Sequence, residues 1–225
     1  MQVAAAHAFV ADVHAPELSP EDRRHLERVL RLRPGEEVTV SDGAGQWRLC
    51  RFGDGLEPVG DVRADERPTP AVTVALALTK GERLDWAVQK LTELGVDVIV
   101  PMSAARSVVR WDADRAGRHT ERLRRIARQA AMQSRRTWLP AVEDVRRFAE
   151  LAARPGAAMA VAGGGPPSLR SPLVLVGPEG GWSEEEESST VGRVGLGPTV
   201  LRAETAAVTA GALLCALRSG LVGPA

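Results

Sequence analysis

Two short apolar runs, each ending in a Gly-Pro turn, constrain the fold of this chain most strongly. Residues 174–176 lead into Gly177 and Pro178, and residues 194–196 lead into Gly197 and Pro198. A short apolar run that ends in glycine is typical of a buried strand of a parallel sheet that feeds a loop. In open α/β sheets, ligands lie outside the carboxyl ends of such strands. The two loops are therefore predicted to border one pocket, although two ordinary strand-to-helix turns would give the same pattern.

The composition of these loops favours recognition of a ligand by the protein backbone. Glycine lets the main chain approach a ligand closely, and proline makes the loop stiff. Such loops suit an adenine or a carboxylate that is bound by main-chain N–H and C=O groups. The triphosphate pattern GxxxxGK[ST] and the dinucleotide pattern GxGxxG are both absent from the sequence.

From residue 72 onward, strands alternate with helices, which predicts an α/β domain with a parallel sheet. We expect strands at residues 72–78, 96–100 and 157–162, and helices at residues 84–94, 142–153 and 204–218. The glycine-proline loop at residues 163–167 is a third strand end that could border the pocket. The last helix is apolar nearly all round, so both of its faces must be covered, which predicts a homodimer through this helix.

The first 66 residues have a β-rich pattern with one helix. Ser19 and Pro20 form a helix start signal, and Leu26, Val29 and Leu30 are expected on one helix face. Strands are expected at residues 38–40, 47–52 and 59–62, which suggests a small β-barrel. Residues 65–71 contain two prolines among charged residues and resemble a linker. We therefore expect two domains, residues 1–68 and residues 69–225.

The formal net charge is zero and the pI is near 6.9, so the protein as a whole does not attract nucleic acid. Any contact with nucleic acid must therefore come from a local basic patch. Arginines dominate residues 115–136, where Glu121 is the one acidic residue. Apolar residues at helical spacing leave Arg118, Arg122, Arg125 and Arg128 on the open face of the predicted helix. This face could neutralise RNA phosphates, or it could simply be a solvated helix face.

Several classes of protein are not supported by the sequence. Cys50, Cys215 and the four histidines lack the spacing of a metal site, so we expect no metal. The first residues lack the pattern of a signal peptide, and the longest apolar stretch, residues 206–217, is too short to span a bilayer. We therefore expect a cytoplasmic protein with no membrane contact.

Two C-terminal motifs, VGPEGGWSEEE and LGPTVLRAETA, resemble the signature of the SPOUT-type RNA methyltransferases. More narrowly, they resemble the 16S ribosomal RNA uridine-N3 methyltransferase family. The segments QKLTELGVDVIVP and AMQSRRTWLP are similar to further motifs of that family, and HLERVLRLRPGEEVTVSDGAG is similar to its N-terminal PUA-like domain. Two positions differ: Thr199 stands where the family usually has arginine, and Ala203 where it usually has threonine.

The resemblance implies a SPOUT-type parallel sheet with a trefoil knot, preceded by a small PUA-like RNA-binding β-barrel. It implies S-adenosyl-L-methionine as cofactor, a homodimer, and N3 of a uridine in 16S rRNA of the small ribosomal subunit as the target. The expected cofactor-binding residues lie in three loops: Gly163, Leu175, Val176, Gly177, Pro178, Glu179, Gly180, Gly181, Leu196, Gly197, Pro198 and Leu201.

The expected catalytic residues are Arg202, Glu204 and Thr205. Uracil N3 carries a proton, so a base and a cation are needed. Arg202 would be the cation and Glu204 the base, although Glu204 could instead cap the last helix, and Thr205 could serve either purpose. The expected RNA-binding residues are Lys80, Lys90, Arg106, Arg122, Arg125, Gln133 and Arg136.

Three alternatives remain open from the sequence. Lys90 could form only a surface ion pair with Glu93, three residues later in the helix. The chain could also be another SPOUT methyltransferase that modifies the ribose 2′-oxygen, or an RNA-binding assembly factor without catalysis, because Thr199 and Ala203 depart from the family pattern.

Overall fold

The computed structural model of the chain describes residues 4–223 and divides into two compact units. The first unit contains the described residues up to Arg67 together with Arg128–Leu139, and the second contains Pro68–Ala127 and the described residues from Pro140 onward. One long helix, α3 (Ala113–Gln133), therefore contributes residues to both units.

The first unit is built on a four-stranded sheet in the order β1-β2-β3-β4. Its strands are β1 (Ala6–Phe9), β2 (Glu37–Ser41), β3 (Gln46–Phe52) and β4 (Leu56–Ala64). Strand β1 runs parallel to β2, whereas the other neighbours are antiparallel. Val38, Val40, Cys50 and Phe52 are buried in its core. The three strands expected from the sequence are confirmed, and β1 is an addition to them.

The helix start at Ser19 is confirmed, but the expected apolar face is wrong. Helix α1 (Pro20–Arg24) begins with the Ser19 hydroxyl accepting a hydrogen bond from the Asp22 N–H at 3.0 Å. A π-helical turn, His25–Val29, follows directly. Its wider i to i+5 spacing changes which side chains share a face. Leu26 is therefore fully buried, whereas Val29 is 64% exposed and Leu30 48% exposed.

The second unit is built on a parallel sheet in the order β11-β9-β10-β5-β6-β7, with β8 also paired to β6. Its strands are β5 (Thr73–Ala77), β6 (Val98–Ser103), β7 (Ala141–Val142), β8 (Arg146–Arg147), β9 (Ala157–Gly165), β10 (Leu173–Val176) and β11 (Gly192–Val194). Besides α3, its helices are α2 (Arg83–Leu94), α4 (Phe148–Ala152), α5 (Glu184–Glu187) and α6 (Ala203–Arg218). The predicted α/β class with a parallel sheet is confirmed.

The prediction of a helix at residues 142–153 is wrong. The chain there forms the two-residue strands β7 and β8, which pair with β6, and only Phe148–Ala152 is helical. Pairing along the free edge of β6 satisfies backbone groups that a longer helix would have satisfied internally. Val142 and Phe148 are both buried by this path, so tertiary packing outweighs the local helical pattern.

The last helix is held tightly against the second unit. Helix α6 packs on α2 and β5, and Gly211 allows a close approach, because a Cβ atom there would lie 2.6 Å from Leu91 Cδ2. At its end, the largely buried Arg218 side chain pairs with the buried Asp97 carboxylate and donates to the Gly95 carbonyl at 2.8 Å. Among residues 4–223, no helix is long and apolar enough to cross a membrane.

Candidate active site

The predicted site residues of the second unit lie mainly along one edge of its sheet. Strands β11, β9, β10, β5 and β6 are successive parallel neighbours, so the loops that follow them leave the sheet at the same edge. That edge is the usual ligand-binding edge of open α/β sheets. The loops carry residues 177–181, residues 195–201, Lys80 and Arg106, which the sequence separates by up to 121 positions. Gly163, predicted to begin a loop, lies instead within the last three residues of β9, which runs to Gly165.

A cavity of about 370 Å³ lies where the end of β9 meets the loop after β11. Its lining includes the predicted residues Gly163, Gly197 and Pro198, and also Thr199 and Val200. Gly163 has a φ of +71° and Gly197 a φ of +144°, backbone angles that residues with a side chain rarely adopt. Much of the wall is therefore bare backbone, as the loop composition suggests.

The two walls of this cavity approach each other more closely than side chains would allow. A Cβ atom on Gly164 would lie 2.6 Å from the Gly195 nitrogen and 2.8 Å from the Val194 carbonyl oxygen. The Gly195 N–H donates to the Gly165 carbonyl at 2.8 Å, which holds the walls together. Glycine at these positions is required by the close approach of two backbones.

The side chain of Trp182 packs against the loop after β10. A Cβ atom on Gly177 would lie 2.9 Å from the Trp182 ring, and the indole N–H donates to the Ala160 carbonyl at 3.0 Å. Leu175 and Val176 are buried within β10, and Pro178 is buried at the start of the loop. None of these residues lines the glycine-walled cavity. They shape the loop that stands next to it on the sheet edge.

Glu186 joins two loops of this edge, a role that the sequence analysis did not predict. Ser183 and Glu186 form a capping box at the start of α5. The buried Glu186 carboxylate also accepts a hydrogen bond from the Ala105 N–H, 2.8 Å away in the loop after β6. The spacing of serine and glutamate three residues apart was the available signal. Arg106, next to Ala105, is exposed and donates to the Gly180 carbonyl at 3.3 Å.

The three expected catalytic residues lie together at the start of α6. Arg202 is the N-cap residue and is exposed, and Thr205 is exposed in the first turn. The Glu204 side chain is only 13% exposed, and its Oε2 is buried without a hydrogen-bond partner among the described residues. Its Oε1 lies 3.8 Å from Arg83 Nε. A carboxylate oxygen in this state can accept a proton or a hydrogen bond.

Arg83 is a residue that sequence reasoning missed. Its guanidinium bonds to the Glu179 carboxylate at 2.7 Å and approaches the Glu204 carboxylate, so it connects the loop after β10 with the start of α6. Arg83 begins α2, and only the pairing of distant strands brings it to these two acids. No local motif identifies it.

The expected RNA-binding residues fall into separate groups. Lys80 and Arg125 are exposed, whereas Lys90 contacts both oxygens of Glu93 at 2.8 and 2.9 Å, as the ion-pair alternative expects. Arg122 pairs with Asp85. Burial raises the pKa of the Asp85 carboxyl, and the charge of Arg122 only partly offsets this effect. The remaining two, the exposed Gln133 and the half-buried Arg136, belong to the first unit.

The family models that match this chain identify the class of site. Among residues 4–223, no group of three or more histidine, cysteine or acidic side chains could hold a metal ion. A family model described as an RNA methyltransferase domain matches residues 65–215, and one described as an RNA methyltransferase PUA domain matches residues 18–54.

Several similar proteins share one name, ribosomal RNA small subunit methyltransferase E. The ribosomal RNA small subunit methyltransferase E of Mycobacterium bovis is 36% identical over 213 residues, which cover 83% of this chain and 80% of that protein. The protein of the same name from Bacillus subtilis is 31% identical over 221 residues, covering 84% and 85%. A crystal structure of the Neisseria gonorrhoeae protein of this name, bound to S-adenosyl methionine, matches with a TM-score of 0.77 at 26% identity, covering 95% of this chain and 97% of that one.

These similarities extend over both the PUA-like segment and the parallel-sheet segment, and they confirm the resemblance seen in the C-terminal motifs. The chain belongs to the ribosomal RNA small subunit methyltransferase E family of RNA methyltransferases.

Proposed function

We propose that this protein transfers a methyl group from S-adenosyl-L-methionine to N3 of a uridine in 16S rRNA of the small ribosomal subunit. The observation that carries the proposal is the Glu204 carboxylate, which is mostly buried, has a free oxygen and lies beside the Arg202 N-cap. Both residues directly follow the loop that walls the glycine cavity. The names of the relatives and the cofactor in the Neisseria gonorrhoeae structure support the same reaction.

The glycine-walled cavity fits the cofactor. Its volume of about 370 Å³ falls in the range of small-molecule sites, and its exposed backbone offers the N–H and C=O groups that an adenine edge requires. When bound, the cofactor supplies an electrophilic methyl group on a sulfonium. The stiff loop with Gly197 and Pro198, together with Gly163 on the opposite wall, would hold it in one orientation, and orientation supplies much of the rate of such a displacement.

The proton on uracil N3 determines what the protein must do. Glu204 would accept this proton, and the guanidinium of Arg202 would stabilise the negative charge that spreads to a uracil carbonyl oxygen. As the N3–C bond forms, the S–C bond breaks, and the sulfonium charge is neutralised. The proton on Glu204 then leaves to water. The guanidinium of Arg83 lies 3.8 Å from the other oxygen, Oε1, of this carboxylate.

The alternative role of Glu204 as a cap of α6 has less support. The N-cap of α6 is Arg202, and no side-chain hydrogen bond caps this end of the helix. Glu204 lies in the first turn, where an acid interacts favourably with the helix dipole. That interaction does not use the free Oε2, which is the atom the reaction requires.

The remaining assignments rest on the same family membership. We propose residues 1–68 as a PUA-like RNA-binding domain and residues 69–225 as the catalytic domain, with the trefoil knot of the SPOUT class in its sheet. The protein would act in the cytoplasm, where ribosomal subunits assemble. We also propose a homodimer through α6. Trp86 and Leu94 of the neighbouring helix α2 are large apolar side chains that are 44% and 38% exposed, and a partner subunit would cover them.

The proposal is tested by methyl transfer from labelled cofactor to small ribosomal subunits that lack the modification. Glu204→Gln should lower kcat by about 10²- to 10⁴-fold, the range for a lost general base, and leave cofactor affinity unchanged. Activity of this variant should rise with pH as N3 loses its proton to solvent. Glu184→Gln, which changes an exposed acid at the start of α5, is the matched control and should behave as wild type. Full activity of Glu204→Gln would contradict the mechanism.

A further inference from the structure

A second cavity, of about 160 Å³, lies at the carboxyl end of β5. The loop after β5, the first turn of α2 and the first half of α3 enclose it, and it shares no lining residue with the glycine-walled cavity. Its volume is below the range of whole-cofactor sites and suits one base or one phosphate.

The lining of this second cavity is positively charged. Lys80, Arg115 and Arg122 line it, against one acid, Asp85. Asp85 pairs with Arg122, so the charge of this acid is already neutralised. Lys80 and Arg115 are exposed and carry the remaining positive charge, which favours an anion. Phosphate groups of RNA are anions that lysine and arginine bind in this way.

A flat surface lies next to these cations. The rings of Trp111 and His119, both lining the cavity, stack with their centroids 4.3 Å apart and their planes 8° from parallel. Aromatic surfaces beside a basic groove are the usual means by which proteins bind unpaired bases of RNA, because every base has a face that stacks.

One buried polar group of the cavity has no partner in the described part of the chain. Thr79 is 5% exposed and lines the cavity, and its hydroxyl makes no hydrogen bond. A buried hydroxyl without a partner is unfavourable. The edge of a base, which carries both donors and acceptors, would supply that partner.

We propose that this cavity binds one unpaired nucleotide of the RNA substrate, next to the nucleotide that is methylated. Its base stacks on Trp111, and its phosphate contacts Lys80 and Arg115. The inference rests on the proposed function, because the loop after β5 lies on the same sheet edge as the loops assigned to the cofactor. The cavity is thus a subsite for substrate RNA, separate from the cofactor cavity.

The test measures binding of a fluorescently labelled single-stranded RNA that contains uridine, by anisotropy at several salt concentrations. Trp111→Leu keeps an apolar side chain without a flat ring and should weaken binding by about tenfold, the size expected for one lost stack. Trp111→Phe keeps a ring and should bind within about twofold of wild type. Lys80→Gln should reduce the slope of affinity against salt by about 0.7, as for one lost phosphate contact with a single strand.

Two controls separate a subsite from a structural role. Cofactor affinity, measured by calorimetry, should be unchanged in all three variants. RNA that carries 5-iodouridine should crosslink on irradiation to the peptide that contains Trp111 in the wild-type protein. Equal losses in the leucine and phenylalanine variants, or a parallel loss of cofactor binding, would show that Trp111 acts in packing and overturn the proposal. Wild-type RNA binding by Trp111→Leu would overturn it as well.

These measurements do not depend on the position of methylation. If the wild-type protein methylates RNA elsewhere than at uridine N3, the proposed function is wrong, whereas the binding results for Trp111 and Lys80 still decide the subsite.

Discussion

Replacement of Gly164 by alanine tests the structure of the cofactor cavity. The new Cβ atom would lie 2.6 Å from the Gly195 nitrogen, whereas ordinary contacts are 3.4–4 Å, so one wall must move by about 1 Å. Both contacting groups are backbone, and no side chain can rotate away. Overpacking of this kind costs about 1–3 kcal/mol.

The same shift should weaken cofactor binding, because the displaced wall carries Gly197 and Pro198. A misplacement of about 1 Å can cost about 100-fold where orientation matters. Urea denaturation and calorimetric titration with the cofactor would measure the two effects. Gly165→Ala is the matched control: its Cβ would lie 3.8 Å from the Arg193 carbonyl oxygen, an ordinary contact, so unfolding should change little. Equal stability of the Gly164 and Gly165 variants would refute this account of the cavity.

Three further predictions concern buried charge. Arg218→Met should lower the free energy of unfolding by about 3–5 kcal/mol in urea denaturation, because it leaves the Asp97 carboxylate buried without its arginine; a loss below about 1 kcal/mol would contradict this. Arg128→Met should raise the pKa of Asp22 in an NMR titration, because burial raises that pKa and the hydrogen bonds from Arg128 now hold it lower. Burial lowers the pKa of His7 to about 4, so its neutral form stabilises the fold above pH 6.5, and this contribution is lost as the pH falls towards 4. We expect stability at pH 5 to be about 2 kcal/mol lower than at pH 7, a drop that a His7→Gln variant should lack.

Much of the sheet was predictable because several of its strands are local apolar runs. β5, β6, β9 and β10 were all expected from this signal, and the capped start of α1 followed from Ser19 and Pro20. β7 and β8 were not, because they are stabilised by pairing with β6 and not by their own residues. The π-helical turn after α1 could not be predicted from the sequence either, because no residue type specifies such a turn.

The site was predictable to the extent that its residues follow strand ends. The glycine loops and the start of α6 lie in motifs that end at one sheet edge, but residues 175–181 do not line the glycine-walled cavity, and the expected RNA-binding residues fall into separate groups. Arg83 and Glu186 were missed, because their partners Glu179 and Ala105 lie about 80 to 100 positions away. The inclusion of Arg128–Leu139 in the first unit was likewise unpredictable, because one continuous helical pattern crosses that boundary.

The most direct test of the central claim is the identity of the methylated nucleoside. Small ribosomal subunits without the modification would be incubated with the protein and isotope-labelled S-adenosyl-L-methionine, then digested to nucleosides and analysed by mass spectrometry. The account predicts 3-methyluridine as the labelled product. A ribose 2′-O-methylated nucleoside, or no transfer by a protein that still binds subunits, would contradict it.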